Sequence, residues 1–267
     1  YNPVESGSYT ISFLSWRTAF ISDNDDYESS TFNKFRGYRI DIAKQLAANN
    51  SNFDPSTIEG GIDPETGFPI EYEYIITGQD PNTGEDIIDS VVTGGYGPTS
   101  QEVMIPAFLA AYSGRDPLNS GLTSFPKIPR PNWRITYDGL IRIPFIKDRF
   151  KTFSLGHAHR STYSVGSYQT NLEYGNGDNI NINNNSYHVQ REISQVTINE
   201  QFSPLFKVDM NWKNGLLTKI EFKRSRMLAL SLANNQITET SSQEYVFGVG
   251  YRINDLSFKF ISLGRDK

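Results

Sequence analysis

The sequence holds three histidines and no cysteine, so any transition-metal site would be built on imidazole and carboxylate groups. His157 and His159 are two positions apart, which places both rings on one face of a predicted strand. Zinc also needs a third ligand and a second shell of hydrogen bonds. His188 lies on a different predicted strand, and no acid is close to the pair in sequence. We therefore expect these histidines to be interfacial polar residues rather than metal ligands, and we predict no metal and no cofactor.

Other patterns that carry chemistry are missing from the sequence. The segment around Gly175 and Gly177 lacks both the GxxxxGK[ST] pattern of a phosphate loop and a following helix. Neither GxSxG nor HExxH occurs, and no pair of acids stands out for general acid–base catalysis. The chain is therefore not expected to be an enzyme.

A basic cluster, Lys223, Arg224 and Arg226, lies beside Phe222 and could suggest nucleic acid. These residues interrupt an alternating strand, however, and the formal net charge of the chain is −5. We predict no nucleic-acid partner. A basic band near a membrane boundary, which meets lipopolysaccharide phosphates or lines a lumen, is the favoured interpretation.

The stretch 201–253 would position most of these groups, because its apolar residues recur at every second position. Period two is typical of a strand whose two faces meet different surroundings. Lys213-Asn214-Gly215 offers an Asn-Gly hairpin turn, and Asn234-Asn235 is a second candidate. The pattern predicts a β-meander with one apolar and one charged face. The alternating apolar residues are Phe206, Val208, Met210, Trp212, Ile220, Phe222, Leu228, Leu230, Leu232, Tyr245, Phe247, Val249, Tyr251 and Ile253.

Such a meander fits two kinds of protein. In a water-soluble sandwich the apolar face is the core, whereas in a transmembrane barrel it meets lipid and the polar face lines a lumen. Ordinary strands have about 5 or 6 residues, whereas a membrane-spanning strand needs about 9 to 11. The alternation runs without a break over 216–232, and a strand pattern also covers 151–174. These lengths favour the membrane interpretation.

Several blocks in this stretch resemble the C-terminal part of the SprA/Sov family, the outer-membrane translocon of the type 9 secretion system. They are QFSPL, VDMNWKNGLLTKIEFKRSR, LALSLANNQITET and EYVFGVGYRI. Upstream, FLSWRTAF, FRGYRIDIAKQLA, PTSQEVMIPAFLAAYSG and PNWRITYDGL are similar to the same family, in family order.

The resemblance implies an all-β fold: a segment of a very large antiparallel transmembrane β-barrel with one long, partly helical insertion. It implies a protein-export channel in the outer membrane of a Gram-negative, Bacteroidetes-type bacterium, which passes folded cargo to the cell surface and is needed for gliding. Implied partners are a PorV-type shuttle barrel, a plug protein, a periplasmic prolyl isomerase, secreted cargo proteins, outer-membrane lipid and lipopolysaccharide. The alternatives are a nutrient-uptake barrel and a soluble β-rich adhesin or sugar-binding module.

Charge and turn signals divide the chain into three parts. Residues 45–114 hold 11 acids and neither Lys nor Arg. We expect a barrel strand over 1–22, an acidic insertion over 23–131 and a meander of barrel strands over 132–267. The insertion is predicted to hold helices at about 31–48 and 99–113. Thr99 and Glu102 suggest a capping box, and Gly114 suggests a C-terminal cap.

Within the strands, alternation assigns candidate residues to each face. The lumen-facing candidates are Arg134, Thr136, Asp138, Arg142, Lys219, Glu221 and Lys223. The lipid-facing candidates are Trp133, Ile135, Tyr137, Ile220, Phe222, Leu228, Leu230, Leu232, Phe247, Val249 and Tyr251.

Overall fold

The computed structural model of the chain describes residues 4–15, 29–49, 72–79, 86–92, 96–97, 99–119, 121–175, 180–181 and 186–253. Its helices are α1 (Ser30–Asn49), α2 (Gln101–Ser113) and α3 (Pro144–Arg149), with 3₁₀ turns at Pro117–Asn119 and Gly139–Arg142. No described helix is both long and apolar enough to cross a membrane. The strands are β1 (Ser6–Ser12), β2 (Tyr72–Gln79), β3 (Asp86–Val92), β4 (Trp133–Tyr137), β5 (Phe150–Thr170), β6 (Ile180–Asn181), β7 (Ser186–Tyr187), β8 (Arg191–Ile193), β9 (Gln195–Trp212), β10 (Leu216–Ser231) and β11 (Gln236–Tyr251).

Seven strands form the main sheet, in the order β1-β5-β9-β10-β11, with β4 and β8 also paired to β5. β2 pairs with β3, and β6 pairs with β7, in separate two-stranded sheets. The predicted antiparallel β-structure with few helices is confirmed. Among the described strands the main sheet does not close on itself.

Turn chemistry identified both hairpins of the meander. Gly215, after Lys213 and Asn214, has a φ of 89°, and Asn235 has a φ of 54°. Both values lie in the left-handed region that Gly and Asn tolerate best. The predicted turns therefore join β9 to β10 and β10 to β11 as expected.

One predicted strand is too long. Within the predicted meander, the alternation of apolar and polar residues over 132–143 predicts one strand, but β4 ends at Tyr137, and the 3₁₀ turn and α3 follow it. Pro144 occupies the first turn of α3, where its fixed φ favours a helix start. Asp138 and Arg142, predicted to face the lumen from a strand, therefore lie in the turn between β4 and β5.

Other sequence predictions fall partly outside the described residues. The barrel strand expected within 1–22 is observed as β1 (Ser6–Ser12); residues 13–15 are described but are not strand, and 16–28 lie outside the description. Two Asp-Pro-x-Thr-Gly segments (63–67 and 80–84), whose Pro and Gly predict turns, and a further strand predicted to start over 256–263 also lie outside it.

The chain forms two compact units. The first comprises Tyr1–Asn132, Ser161–Glu200 and Arg226–Ser241; the second comprises Trp133–Arg160, Gln201–Ser225 and Ser242–Lys267. The long strands β5, β9, β10 and β11 contribute residues to both units.

The core of the first unit is built around α2, which is buried from Val103 to Ser113. A helix that is apolar on all sides is typical of a protein interior. Pro106, predicted to kink or interrupt it, lies inside the continuous helix, and Gly114 ends it with a φ of 59°. α1 begins where the Ser29 hydroxyl accepts a hydrogen bond from the Phe32 N–H at 3.3 Å. Core side chains come from both helices and from the strands: Phe35, Ile42, Phe108, Tyr112, Tyr163, Val165, Val196, Ile198, Leu228 and Leu230.

The predicted capping box of α2 is wrong. The N-cap residue is Ser100 rather than Thr99, and its side chain makes no capping hydrogen bond. Glu102 lies in the first turn of the helix, where burial raises the pKa of its carboxyl above the ordinary value of 4.5. Tertiary burial therefore overrides the local capping pattern.

Ser161, fully buried on β5, connects both ends of the insertion in the first unit. Its carbonyl accepts a hydrogen bond from the Phe13 N–H at 3.0 Å, and its hydroxyl donates to the Phe13 carbonyl at 2.5 Å. Its own N–H donates to Asn132 Oδ1 at 2.8 Å. Its hydroxyl also lies 3.1 Å from that of Tyr112 in α2. Ser161 therefore holds both the segment that leaves the sheet after β1 and the segment that returns to it before β4.

Arg130 also joins the two ends of the insertion, and we call the contacts that Ser161 and Arg130 make there the neck. Its N–H donates to the Ser12 carbonyl at 3.0 Å, and its guanidinium donates to the Leu14 carbonyl at 2.5 Å. The guanidinium also lies 4.7 Å from the centre of the Phe13 ring, within the range of a cation–π contact. Burial lowers the pKa of Arg130, with a contribution from nearby Arg115.

A second anchor holds α1 against the hairpin of β10 and β11. Arg226 Nε and Glu239 Oε1 are 2.5 Å apart, and both side chains are about nine-tenths buried. Arg226 also donates to Thr31 Oγ1 at 2.7 Å, and the Ser29 hydroxyl donates to Glu239. Because both ions have further polar partners, neither charge is left uncompensated in the interior.

We predict that Ser161→Ala destabilises the first unit by about 1–3 kcal/mol, since it leaves the buried Phe13 carbonyl with one partner fewer. The change in urea midpoint and in amide exchange over α2 measures the effect. Ser167→Ala is the matched control, because that residue is exposed and its hydroxyl pairs with the exposed Ser194. Equal midpoints for the two variants would contradict a structural role for Ser161.

We predict that Glu102→Gln raises the thermal stability of the first unit at neutral pH. A carboxyl whose folded-state pKa is raised stabilises the fold only below its unfolded value, and that contribution is lost as pH rises through the folded value. The gain should therefore vanish below about pH 4.5, the ordinary value. Melting curves across this pH range, with exposed Glu192→Gln as control, test it; a gain that persists in acid would contradict the assignment.

Candidate functional site

The second unit presents an apolar face and a polar face. Its strand segments are residues 150–160 of β5, 201–212 of β9, 216–225 of β10 and 242–251 of β11. β4 pairs antiparallel with β5, and Trp133, Ile135 and Tyr137 lie opposite His159, His157 and Leu155. Residues opposite each other in a pair share a face of the sheet.

Ring contacts trace the apolar face from strand to strand. Trp133 stacks on His159 with ring centres 4.6 Å apart, and His159 lies 4.6 Å from Phe202 on β9. Phe222 on β10 stacks on Tyr245 of β11 at 4.7 Å. The odd positions of β4, β5 and β11 therefore lie on the same face as the even positions of β9 and β10.

Large apolar side chains on this face are exposed to solvent. Phe247 and Val249 are 74% and 79% exposed, and Tyr245 and Tyr251 flank them on the same side of β11. We call this surface the bare apolar face. Its exposed members are Ile135, Tyr137, Phe206, Ile220, Tyr245, Phe247, Val249 and Tyr251.

The opposite face carries ion pairs. Lys207 Nζ is 2.6 Å from Asp209, Lys219 Nζ is 2.5 Å from Glu221, and Lys223 Nζ is 3.2 Å from Glu244. Glu221 is buried among these side chains. Each of these three lysines thus has a carboxylate partner, so the charges within the pairs cancel.

Glycines give the lysine stems room on the polar face. An added Cβ at Gly248 would lie 3.3 Å from Lys219 Cβ, and one at Gly156 would lie 3.5 Å from Lys207 Cβ. The glycine positions on neighbouring strands therefore let long charged side chains lie flat along the sheet.

Three predicted lumen-facing residues, Lys219, Glu221 and Lys223, meet on the polar face. Arg134 and Thr136 lie opposite Ala158 and Gly156 of β5, away from the apolar rings of β4. Asp138 and Arg142 do not join them, because β4 has already ended.

The lipid-facing assignment of three leucines needs correction. Leu228 and Leu230 are 1% and 0% exposed in the core of the first unit, and Leu232 is partly buried against that core. They keep the alternation of β10, but protein side chains cover them. The other candidates, Trp133, Ile135, Tyr137, Ile220, Phe222, Phe247, Val249 and Tyr251, belong to the apolar side of the second unit.

The histidines have packing contacts. His157 Nδ1 is 2.7 Å from the Leu205 carbonyl, and His188 Nδ1 is 3.6 Å from the Glu173 carboxylate. Within the described part of the chain, no three His, Cys, Asp or Glu side chains are grouped to hold a metal ion.

Sequence reasoning missed the partner of Lys223. Glu244 lies 21 positions away along the chain. Only the register of β10 against β11 brings the two together, and alternation alone does not give register. The Asn-Asn turn at 234–235 was the one available signal, since turn position sets the pairing of a hairpin.

Comparison of the sequence with protein-family models and with curated proteins gives no match.

Proposed function

We propose that the second unit forms part of the wall of an outer-membrane β-barrel, with the bare apolar face on lipid hydrocarbon. The observation that carries this proposal is the row Tyr245, Phe247, Val249 and Tyr251, whose side chains are all exposed. Soluble proteins rarely leave such a contiguous apolar surface in water, whereas a barrel needs one where it meets lipid.

The lengths of the strand segments support the proposal. The four segments of the second unit contain 11, 12, 10 and 10 residues. A tilted strand needs about 9–11 residues to cross the hydrocarbon layer. In the second unit β5, β9 and β10 each pair with a strand on both sides, as a bilayer requires, and β11 is the edge of the described sheet.

The barrel proposed here is a protein-export channel of the type 9 secretion kind. The sequence blocks that resemble its translocon support this step, and the polar face suits a water-filled lumen. Because Lys207, Lys219 and Lys223 of this wall are each paired with a carboxylate, the field of the lysines is reduced, and folded cargo would pass as through a passive conduit. A PorV-type shuttle, a plug protein and a periplasmic prolyl isomerase are the partners that the resemblance implies.

We predict that Phe247→Lys weakens insertion into lipid vesicles by about 2–4 kcal/mol, because Phe247 lies midway along the second-unit segment of β11 and a lysine on the lipid side costs most near the bilayer midplane. Val246→Lys is the matched control, because it is the adjacent residue on the opposite side of β11. Folding yield in vesicles under urea titration measures both. Equal effects would contradict the face assignment, and a native chain that stays monodisperse in plain buffer would favour the soluble adhesin instead.

The export role predicts that bulk on the polar face blocks cargo. Lys219→Cys, labelled with a large maleimide polymer, should reduce surface delivery of cargo by tenfold or more, as expected if the label occupies a lumen. Phe247→Cys with the same label is the control, since its side chain is on the other face. Unchanged secretion with loss of a small nutrient's uptake would favour a nutrient-uptake barrel over the translocon.

A further inference from the structure

The turns of the second unit bring six cationic side chains to one end of its strands. Arg142, Lys147 and Arg149 belong to the β4–β5 turn, and Lys151 follows it. Lys213 belongs to the β9–β10 hairpin, and its backbone N–H donates to the Arg149 carbonyl at 3.0 Å. The N–H of Arg252, after β11, donates to the Gly215 carbonyl at 2.8 Å. We call these six residues the basic rim.

The rim has an excess of positive charge. The described turn segments 138–151, 213–215 and 251–253 hold six cations against two carboxylates, Asp138 and Asp148, a net charge of +4. All six cationic residues are exposed. No ion pair joins any of them to another described residue, in contrast to Lys207, Lys219 and Lys223 on the polar face. The chain as a whole has a net charge of −5, so the rim has the opposite sign.

Apolar groups accompany the cations. Phe145 of α3 is 65% exposed, with the Arg149 guanidinium 4.6 Å from its ring centre, and neighbouring Ile143 is also exposed. Aromatic and basic side chains occur together where a protein meets the boundary between hydrocarbon and headgroups.

We propose that the basic rim binds the phosphates of anionic phospholipid headgroups. This inference rests on the proposed function, because the cations lie where the membrane-spanning segments would end. The β9–β10 hairpin at this end has a turn of three residues, 213–215, which is as short as barrel turns on the periplasmic side are. Phospholipid of the inner leaflet, of the phosphatidylglycerol class, is therefore the partner. Exposed cations that have no ion-pair partner among the described residues gain most from such a surface, since its potential decays within a Debye length.

The test compares binding of the chain to vesicles of phosphatidylcholine alone and with added phosphatidylglycerol. The rim variant is Lys147→Glu, Lys213→Glu and Arg252→Glu. The control variant is Lys34→Glu, Arg36→Glu and Lys127→Glu, which reverses three exposed cations of the first unit and gives the same total charge. We expect phosphatidylglycerol to strengthen vesicle binding of the native chain and of the control variant by about tenfold. The rim variant should show no such increase, and high salt should abolish the increase for the native chain.

A charge-preserving variant, Lys147→Arg, Lys213→Arg and Arg252→Lys, should behave like the native chain. If it also loses the phosphatidylglycerol effect, the side chains act structurally and the proposal is overturned. Equal insertion of the native chain into both vesicle types would overturn the rim's role and leave the barrel proposal intact. Insertion into neither would defeat the barrel proposal itself. Binding to an acidic peptide but not to phosphatidylglycerol would identify a protein partner instead.

Discussion

The alternation of the long strands imposes one requirement on the whole molecule: each strand has an apolar side that must be removed from water. Leu228 and Leu230 meet this requirement against α2 and the rest of the core of the first unit. Ile220 and Phe222 are also at even-numbered positions of β10, on the same side of the strand, but in the second unit, where Ile220 is exposed. One sequence pattern therefore has two structural outcomes. The insertion supplies the cover in the first unit, and lipid would supply it in the second under the function proposed.

An insertion of more than a hundred residues can leave a sheet only if its neck is held closed, because an open neck would expose backbone groups of β5. Ser161 does this with four polar contacts to Phe13, Asn132 and Tyr112. Burial raises the pKa of the Tyr112 hydroxyl, with a smaller contribution from Glu200, so it stays neutral in this position. The neck and the Arg226–Glu239 pair hold the insertion to the sheet by hydrogen bonds as well as by apolar packing.

The sequence predicted the features that depend on local geometry. The hairpins at Gly215 and Asn235 and the end of α2 at Gly114 each follow from the backbone preferences of a few neighbouring residues. It failed where distant contacts decide. Glu102 is partly buried in place of capping α2, and Leu230 belongs to a core whose helix α2 comes more than a hundred residues earlier in the chain. Alternation shows which side of a strand is apolar, but it contains no information on what covers that side.

The same limit explains why the candidate site could be predicted only in part. Lys219, Glu221 and Lys223 were placed together because period two puts them on one face, and that arithmetic needs no partner strand. Whether a lysine has an ion-pair partner depends on register and on turn length: Lys223 is paired with Glu244, whereas no described carboxylate is paired with Lys213. Pairing has physical consequences, because a neutralised wall exerts a weak field on passing solutes, whereas unpaired cations attract phosphate over about a Debye length. One sheet can thus present a face whose lysines are neutralised by carboxylates and an end with an excess of positive charge.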